Sequence, residues 1–279
     1  MNIFIIPSWY PNLLSNISGI FTREQVEAIA DLAPGVRVIV STWGHDMSQV
    51  PIHKPINACK RIIWFLKQSK NQINVRGGVY EIFNPALTWT KYLPFGGITR
   101  LISANRRNLE LAINKLGVID LIHAHVSYPG GFIASVLLRE FGIPYVLTEH
   151  MGPFPFPSML RKGRPLPEID DAFMLAKAVI SVSPAAAKRI ASFGYQKINV
   201  IPNLVDERRF YFGLPKSSKL VFFTLCGINN QKGIDHLLEA IALWNPSAKE
   251  YEFRIGGDGP MLRTYQALAN TLGVTDRIL

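Results

Sequence analysis

Residues 119–150 read IDLIHAHVSYPGGFIASVLLREFGIPYVLTEH. Residues 119–123 are a short apolar run and 145–148 a second. Between them, behind a Pro-Gly-Gly turn, 131–141 carries apolar side chains at helical spacing. Two strands joined by a crossover helix predict a parallel pair, since parallel strands cannot be closed by a hairpin. The same alternation extends outward in both directions. Apolar runs recur at 2–7, 36–41, 79–83, 179–182 and 198–201, with helix-period segments at 21–32, 101–116, 168–177 and 185–193. This pattern predicts an α/β domain: a doubly wound parallel sheet of buried strands with helices on both faces.

The texture changes after residue 201. Pro202, Gly213, Pro215, paired arginines and serines fill 202–218, which reads as an interdomain linker. Alternation then restarts, with strands at 220–225 and 252–255 and helices at 233–244 and 260–272. The expected organisation is a first domain over 1–201, the linker over 202–218 and a partial second Rossmann-like domain over 219–279. Two strand–helix units fall short of an ordinary domain and leave sheet edges unpaired, so the second domain is expected to be incomplete.

Composition narrows the classes of function. The chain has 279 residues and 48% hydrophobic content, that of a folded protein. No run is long enough to span a bilayer, and the opening Ile3-Phe4-Ile5-Ile6 lacks a basic leader, so a cytoplasmic compartment is expected. Cys59 and Cys226 are unpatterned and suit neither a zinc cluster nor a disulfide framework. The net charge is +10, and residues 1–215 carry 23 Lys and Arg against 14 Asp and Glu, while the remainder carries 7 against 6. Such a basic surplus attracts nucleic acid, anionic lipid or a phosphorylated substrate alike, and motifs must choose among them.

Ligands of open α/β sheets bind beyond the carboxyl ends of the strands, where helix N-termini favour anions. The first such turn lacks a G-x-G-x-x-G, which removes the main support for a nicotinamide-dependent oxidoreductase. Gly19, just before the first helix, either serves the turn or lets a phosphate approach the backbone. His123, His125 and His150 follow adjacent strands and are candidates for one cleft. They lack H-E-x-x-H spacing, so no metal site is assigned, and each has a structural role as its alternative. Farther on, Gly227–Gly233 places Lys232 at an expected helix start, and Gly256–Pro260 forms a second glycine-rich strand-to-helix turn with Gly257, Asp258 and Gly259. Neither is a Walker loop. Both are candidates for a phosphate-facing edge, or for tight turns only.

Together these residues resemble the family-four glycosyltransferases of the GT-B fold. The likeness rests on I-I-P-S-W-Y-P with S-G-I-F-T-R-E-Q at the start, D-L-I-H-A-H at 120–125, I-P-Y-V-L-T-E-H at 143–150, S-V-S at 181–183, and I-P-N-L-V-D at 201–206. K-G with L-L-E-A at 232–240 and G-D-G-P at 257–260 complete it. The resemblance implies a nucleotide-diphosphate sugar as donor, bound between two domains and transferred with retention of configuration by a hexosyltransferase-like enzyme, without a cofactor or essential metal. It implies that Gly19 approaches the donor phosphate, His150 lies near the transferred sugar and Lys232 holds the diphosphate, with Asn203 and Asp206 as further cleft candidates. An arginine that commonly partners the lysine falls at Gly227, and the family's Glu-x7-Glu segment would lie past Leu279. The chain alone is therefore expected to transfer little sugar.

The acceptor expected from the resemblance is a glycan or lipid-linked molecule in cell-surface polysaccharide synthesis, with no nucleic-acid partner. The alternative reading is a noncatalytic binding module or fragment. Two segments mix cations with large apolar side chains: Lys60 to Lys67 with Lys70 and Arg76, and Lys91 to Phe95 with Arg100, Arg106 and Arg107. They read either as half-buried helices with a basic outer face or as a peripheral contact with the anionic inner face of the cell membrane.

Overall fold

The computed structural model describes residues 1–89, 97–211, 213, 219–247 and 249–279. It divides into two compact units, Met1–Val205 and Asp206–Leu279. The basic segment 91–95 lies outside the described residues, as do residues 212 and 214–218 of the expected linker.

The first unit runs β1 (Asn2–Pro7), α1 (Ile20–Leu32), β2 (Arg37–Thr42), α2 (Pro55–Leu66), β3 (Gln72–Arg76), β4 (Val79–Phe83), α3 (Thr99–Leu116), β5 (Leu121–His125), α4 (Phe132–Phe141) and β6 (Tyr145–Glu149). A small hairpin follows, β7 (Leu160–Arg161) and β8 (Arg164–Pro165), then α5 (Pro167–Met174), β9 (Ala178–Ser181), α6 (Pro184–Ala191) and β10 (Ile198–Val200). Eight of these strands form one sheet in the order β10-β9-β6-β5-β1-β2-β4-β3. All of its pairings are parallel except β3 on β4.

The alternation of β1 shows why the sheet is covered on both sides. Phe4 and Ile6 point into the larger core with Ile39, Ile122 and Leu147, while Ile3 and Ile5 join Val26, Val38, Val40 and Val79 in a smaller one. Neighbouring residues of a strand point to opposite faces, so a strand apolar at every position needs helices on both. β1 sits at the centre because it pairs with β2 on one side and β5 on the other, aligning Ile5 with Val40 and with His123. Its carboxyl end therefore meets that of β5, with Pro7 opposite His125.

Three features depart from the sequence expectation. The antiparallel β3 and the helix α2 lie outside the expected alternation of strands and helices. Residues 198–201, expected to be buried, lie at the sheet edge, where Ile198–Val200 form β10, and Val200 and Ile201 are exposed. The core also holds a polar network: Ser41 Oγ donates to Asn105 Oδ1 (2.6 Å), Asn108 Nδ2 to Ser41 Oγ (2.8 Å) and Asn84 Nδ2 to Asn108 Oδ1 (2.9 Å). Each of these buried amides finds a partner, which is the condition for tolerating such groups inside.

The second unit contains β11 (Leu220–Leu225), α7 (Ile234–Trp244), β12 (Tyr251–Gly256) and α8 (Leu262–Thr271). Its two strands pair in parallel, and Ile234, Leu238, Ile241, Phe253 and Tyr265 form its core. Leu220, Phe223 and Leu225 of β11 are exposed. Among the described residues, no helix is long and apolar enough to cross a membrane.

Candidate active site

At the carboxyl ends of β1, β5 and β6 three imidazoles meet. His123 and His125 both belong to β5, with ring centroids 4.2 Å apart, and His125 stacks at 5.3 Å on His150, the residue after β6. Thr148 Oγ1 lies 2.8 Å from His123 Nε2, and His125 Nδ1 lies 3.1 Å from His150 Nε2. The ring of Phe21, from the first turn of α1, covers His150 at 4.3 Å, and Trp9 meets Phe21 edge-on. His125 Nε2 and His150 Nδ1 are buried without a hydrogen bond, although the Asn203 amide lies near enough to His150 to favour its protonation slightly.

Burial dominates the electrostatics of this cluster. It lowers His123 and His150 from 6.5 to about 4 and His125 well below its ordinary value, because an imidazolium there would lose its hydration. Neighbouring imidazoles depress His125 and His150 further. All three are neutral at pH 7. A base as weak as His150 takes protons poorly near neutrality, but its neutral ring can still donate or accept one hydrogen bond.

Two side chains hold the surrounding loops. Glu149 is buried, and burial raises its carboxyl; it accepts from the backbone N–H of Ser127 (2.9 Å) and of Met151 (2.8 Å), tying the turns after β5 and β6 together. Ser8 Oγ accepts from Gly130 N at 2.8 Å and donates to Val126 O at 3.3 Å, joining the turns after β1 and β5. Sequence reading assigns no role to either residue. A carboxylate directly after an apolar strand is the available signal, since charge is rarely buried without partners.

Gly19 caps α1 in the left-handed region, at φ 65°, and a Cβ there would fall 2.1 Å from Trp9 O. The backbone of the first turn thus passes directly against the start of α1, and only glycine fits. Gly19→Ala should destabilise the fold by about 3 kcal/mol, combining left-handed strain with overlap on a fixed carbonyl. Gly35→Ala, also at positive φ but with open space around it, should cost only about 1 kcal/mol. Equal urea midpoints for the two variants would contradict the steric account.

In the second unit the two glycine-rich turns lie side by side at the carboxyl end of the β11–β12 pair. Ile228 N donates to Asp258 O at 2.8 Å, and Met261 N to Ile228 O at 3.2 Å. A Cβ on Gly257 would come within 1.9 Å of Cys226 O, and one on Gly259 within 2.2 Å of Ile228 O, so both glycines permit this lacing. Asp258 Oδ1 accepts from Gly259 N and points along its own turn. Lys232 does not start α7 as expected. It ends a tight turn over Asn230–Lys232, and left-handed Gly233 separates it from the helix at Ile234. Pro260 likewise precedes α8, which begins at Leu262. Lys232 is exposed. Asp206 also belongs to this unit and pairs with Arg208 at 3.0 Å, which holds its carboxyl below the ordinary value.

The first unit also contains an open cleft of about 480 Å³ lined by Tyr10, Asn12, Arg23, Trp64, Gln68 and Glu81. Tyr10 donates to Glu81 at 2.6 Å across it. Among the described residues no cluster of His, Cys, Asp and Glu has a metal-holding arrangement.

A parallel sheet with a ligand-facing carboxyl edge, followed by a second strand–helix unit with glycine turns, is the architecture of GT-B enzymes. Along the full chain the fold matches Anabaena Alr3699/HepE, solved in complex with UDP, with TM-score 0.63, 13% identity and 68% of that chain covered. It also matches the lipopolysaccharide outer core galactosyltransferase WaaB, with TM-score 0.57, 15% identity and 67% of that chain covered. Residues 79–209 match Glycosyltransferase Family 4. Among curated relatives, the putative teichuronic acid biosynthesis glycosyltransferase TuaC of Bacillus subtilis is 27% identical, over 95% of this chain and 67% of its own length. The 2-deoxystreptamine glucosyltransferase of Streptomyces kanamyceticus is 25% identical, over 65% of this chain and 54% of its own. The chain thus has the fold of GT-B enzymes, is similar over 79–209 to Glycosyltransferase Family 4, and has glycosyltransferases as its relatives. It spans between about half and two thirds of these two relatives' lengths.

Proposed function

We propose that the enzyme moves a sugar from a nucleoside diphosphate sugar, with retention of configuration, to a glycan or lipid-linked acceptor at the inner face of the cell membrane, in cell-surface polysaccharide synthesis. No resident cofactor takes part, and the nucleotide sugar is a substrate. In the first unit His150 hydrogen-bonds a hydroxyl of the transferred sugar. In the second, Lys232 and the backbone of the two glycine turns carry the diphosphate. Negative charge grows on that diphosphate as the glycosidic bond breaks, so a fixed cation there acts mainly on the transition state.

The observation that carries this reading is the row of neutral imidazoles in which His123 and His125 are buried and His150, at its end, is half-buried. A neutral donor held by a packed shelf is suited to orienting a hydroxyl, and its low basicity argues against proton abstraction. The names of TuaC and WaaB support a polysaccharide acceptor, and the UDP in the HepE structure supports a nucleotide donor. The cleft at Tyr10, Trp64 and Glu81 offers an aromatic ring, amides and a carboxylate, the groups that recognise a hydroxyl-rich molecule.

A screen of nucleotide sugars, read as acceptor-dependent nucleotide release, tests the activity, and the anomeric configuration of the product tests retention. His150→Ala should lower kcat by about 10²-fold with no change in its pH profile between 6 and 8, the signature of a lost positioning hydrogen bond. A changed alkaline limb in that profile would make His150 a base and refute the positioning role.

A further inference from the structure

The hairpin of β7 and β8 holds like charges against each other. Arg161 and Arg164 are register partners across it, so their side chains leave the same face with Cβ atoms about 5 Å apart. Leu160 and Pro165 form the adjacent pair, and because Pro165 is buried and Leu160 half-buried, the arginines point the other way, outward. The two residues that close the hairpin, Lys162 and Gly163, are both left-handed, at φ 52° and 76°. Turns of this kind favour Asn-Gly, since asparagine enters the left-handed region more readily than lysine. A cation thus stands where the backbone favours a small amide, and two directly opposed cations destabilise the strand pair as well. Both departures place positive charge at one tip.

The flanking acids do not relieve this repulsion. Residues 150–167 contain three Lys and Arg and no Asp or Glu. Glu149 accepts from two backbone N–H groups, Asp170 from Tyr195, Asp171 pairs with Arg139, and Glu168 lines a cleft with Tyr128. Among the described residues Arg161, Lys162 and Arg164 form no ion pair, and all three are exposed. The tip is held in place from below: Phe156, Met159 and Leu166 pack against the larger core, and Leu166 N donates to Met159 O at 3.0 Å. An anion seated between the two guanidiniums converts their repulsion into charge-assisted hydrogen bonds, for which the planar guanidinium is suited. Three cations exceed what one carboxylate neutralises and match a phosphate or diphosphate. The hairpin continues the loop that His150 opens at the carboxyl end of β6, whereas the donor's diphosphate has its proposed place at Lys232 in the second unit. We infer that Arg161 and Arg164, with Lys162 between them, form a fork that binds a phosphoryl group carried by the acceptor. The inference rests on the proposed sugar transfer for the molecule that bears the phosphate, whereas binding of phosphate by the hairpin needs no transfer.

The probe is inorganic pyrophosphate, titrated into the whole chain and followed by the NMR signals of the arginine Nε–H groups. The signals lost in Arg161→Gln and in Arg164→Gln identify the two arginines, and in the parent both should shift together. In either variant the remaining arginine should report an affinity about tenfold weaker, because one charged hydrogen-bonding partner is gone. Arg164→Lys keeps the charge without the planar fork and should lose most of the same factor. Arg164→Glu sets opposite charges across the strands, so it should abolish binding with no loss of Tm in the absence of the anion. Signals that ignore pyrophosphate, an affinity unchanged by either Gln variant, or full affinity in Arg164→Lys overturns the inference. Sedimentation with phosphatidylglycerol vesicles separates lipid headgroups from a free phosphate: a fork whose Gln variants lose vesicle binding alone would be a membrane contact, and the inference fails. In the intact enzyme Arg164→Gln should raise KM about tenfold for a phosphate-bearing acceptor and leave KM for the nucleotide sugar unchanged, and the reverse pattern assigns the fork to the donor and overturns it. Pyrophosphate binding at the hairpin with no sugar transfer from any donor would sink the proposed activity and leave the phosphate site standing.

Discussion

Lys232→Ala in the intact enzyme should lower kcat/KM for the nucleotide sugar by about 10²- to 10³-fold while leaving Tm unchanged. The side chain is exposed, so its removal creates no cavity, and surface substitutions of this kind shift stability by only about 0.5 kcal/mol. The turn that carries it is built by other groups: Asn229 accepts from Gln231 N with its side chain, Lys232 N donates to Asn229 O at 3.2 Å, and Gly233 supplies the left-handed residue. Truncation therefore deletes a charge and little else. If the cation acts on the leaving diphosphate, the loss falls on kcat more than on KM. Lys249→Ala, which removes an exposed cation elsewhere in the same unit, should be silent. Matching kinetics for the two variants would return Lys232 to an ordinary surface lysine.

The sheet is legible in the sequence because its signals are local and repeated. β1, β2, β5 and β6 each contain a short apolar run, and each takes its place in the central parallel order. The histidines are legible for a related reason: 123 and 125 end one strand and 150 follows the next, so a parallel pairing with His125 opposite Thr148 brings them together. What escapes depends on contacts made far along the chain. The glycine at 19 announces a turn, but its closeness to Trp9 O is a property of how the first loop folds back. Asn84, Asn105 and Asn108 carry no local signal of burial, and their hydrogen bonds with one another and with Ser41 are what allow it. α2 escapes for the opposite reason: its apolar period is plain, but period does not say which way the stripe faces, and here it faces away from the core. The helix expected over 233–244 begins at Ile234, because left-handed Gly233 caps it, and Lys232 therefore lies in the turn ahead of it.

The stability of the first unit should fall steeply as pH drops from about 7 to 5. His45, His123 and His150 are each held neutral by burial, with values lowered from 6.5 to about 4, and burial also holds His125 well below its ordinary value. Above pH 6.5 the imidazoles are neutral in both folded and unfolded chains, so they add no pH dependence. Between 6.5 and about 4 the unfolded chain binds protons that the folded chain refuses, and the protein loses about 1.4 kcal/mol per pH unit for each such histidine. At about pH 5 one buried histidine costs about 2 kcal/mol, and several together consume much of a net stability on the order of 5–15 kcal/mol. Glu149 acts in the other direction, since its raised value lets the folded chain keep a proton the unfolded chain has released; stability from that source grows as pH falls, and one carboxyl offsets only part of the histidines' effect. Urea midpoints at about pH 7.5, 6.0 and 5.0 measure the slope directly. His123→Gln keeps a group able to meet Thr148 Oγ1 but cannot titrate, so it should lower stability at about pH 7.5 and flatten the slope by about one proton. A midpoint constant across that pH range, or a His123→Gln slope equal to that of the parent, would show that these imidazoles take up protons as readily in the folded chain as in the unfolded one, and the neutral histidine shelf assigned to the site would have to be abandoned.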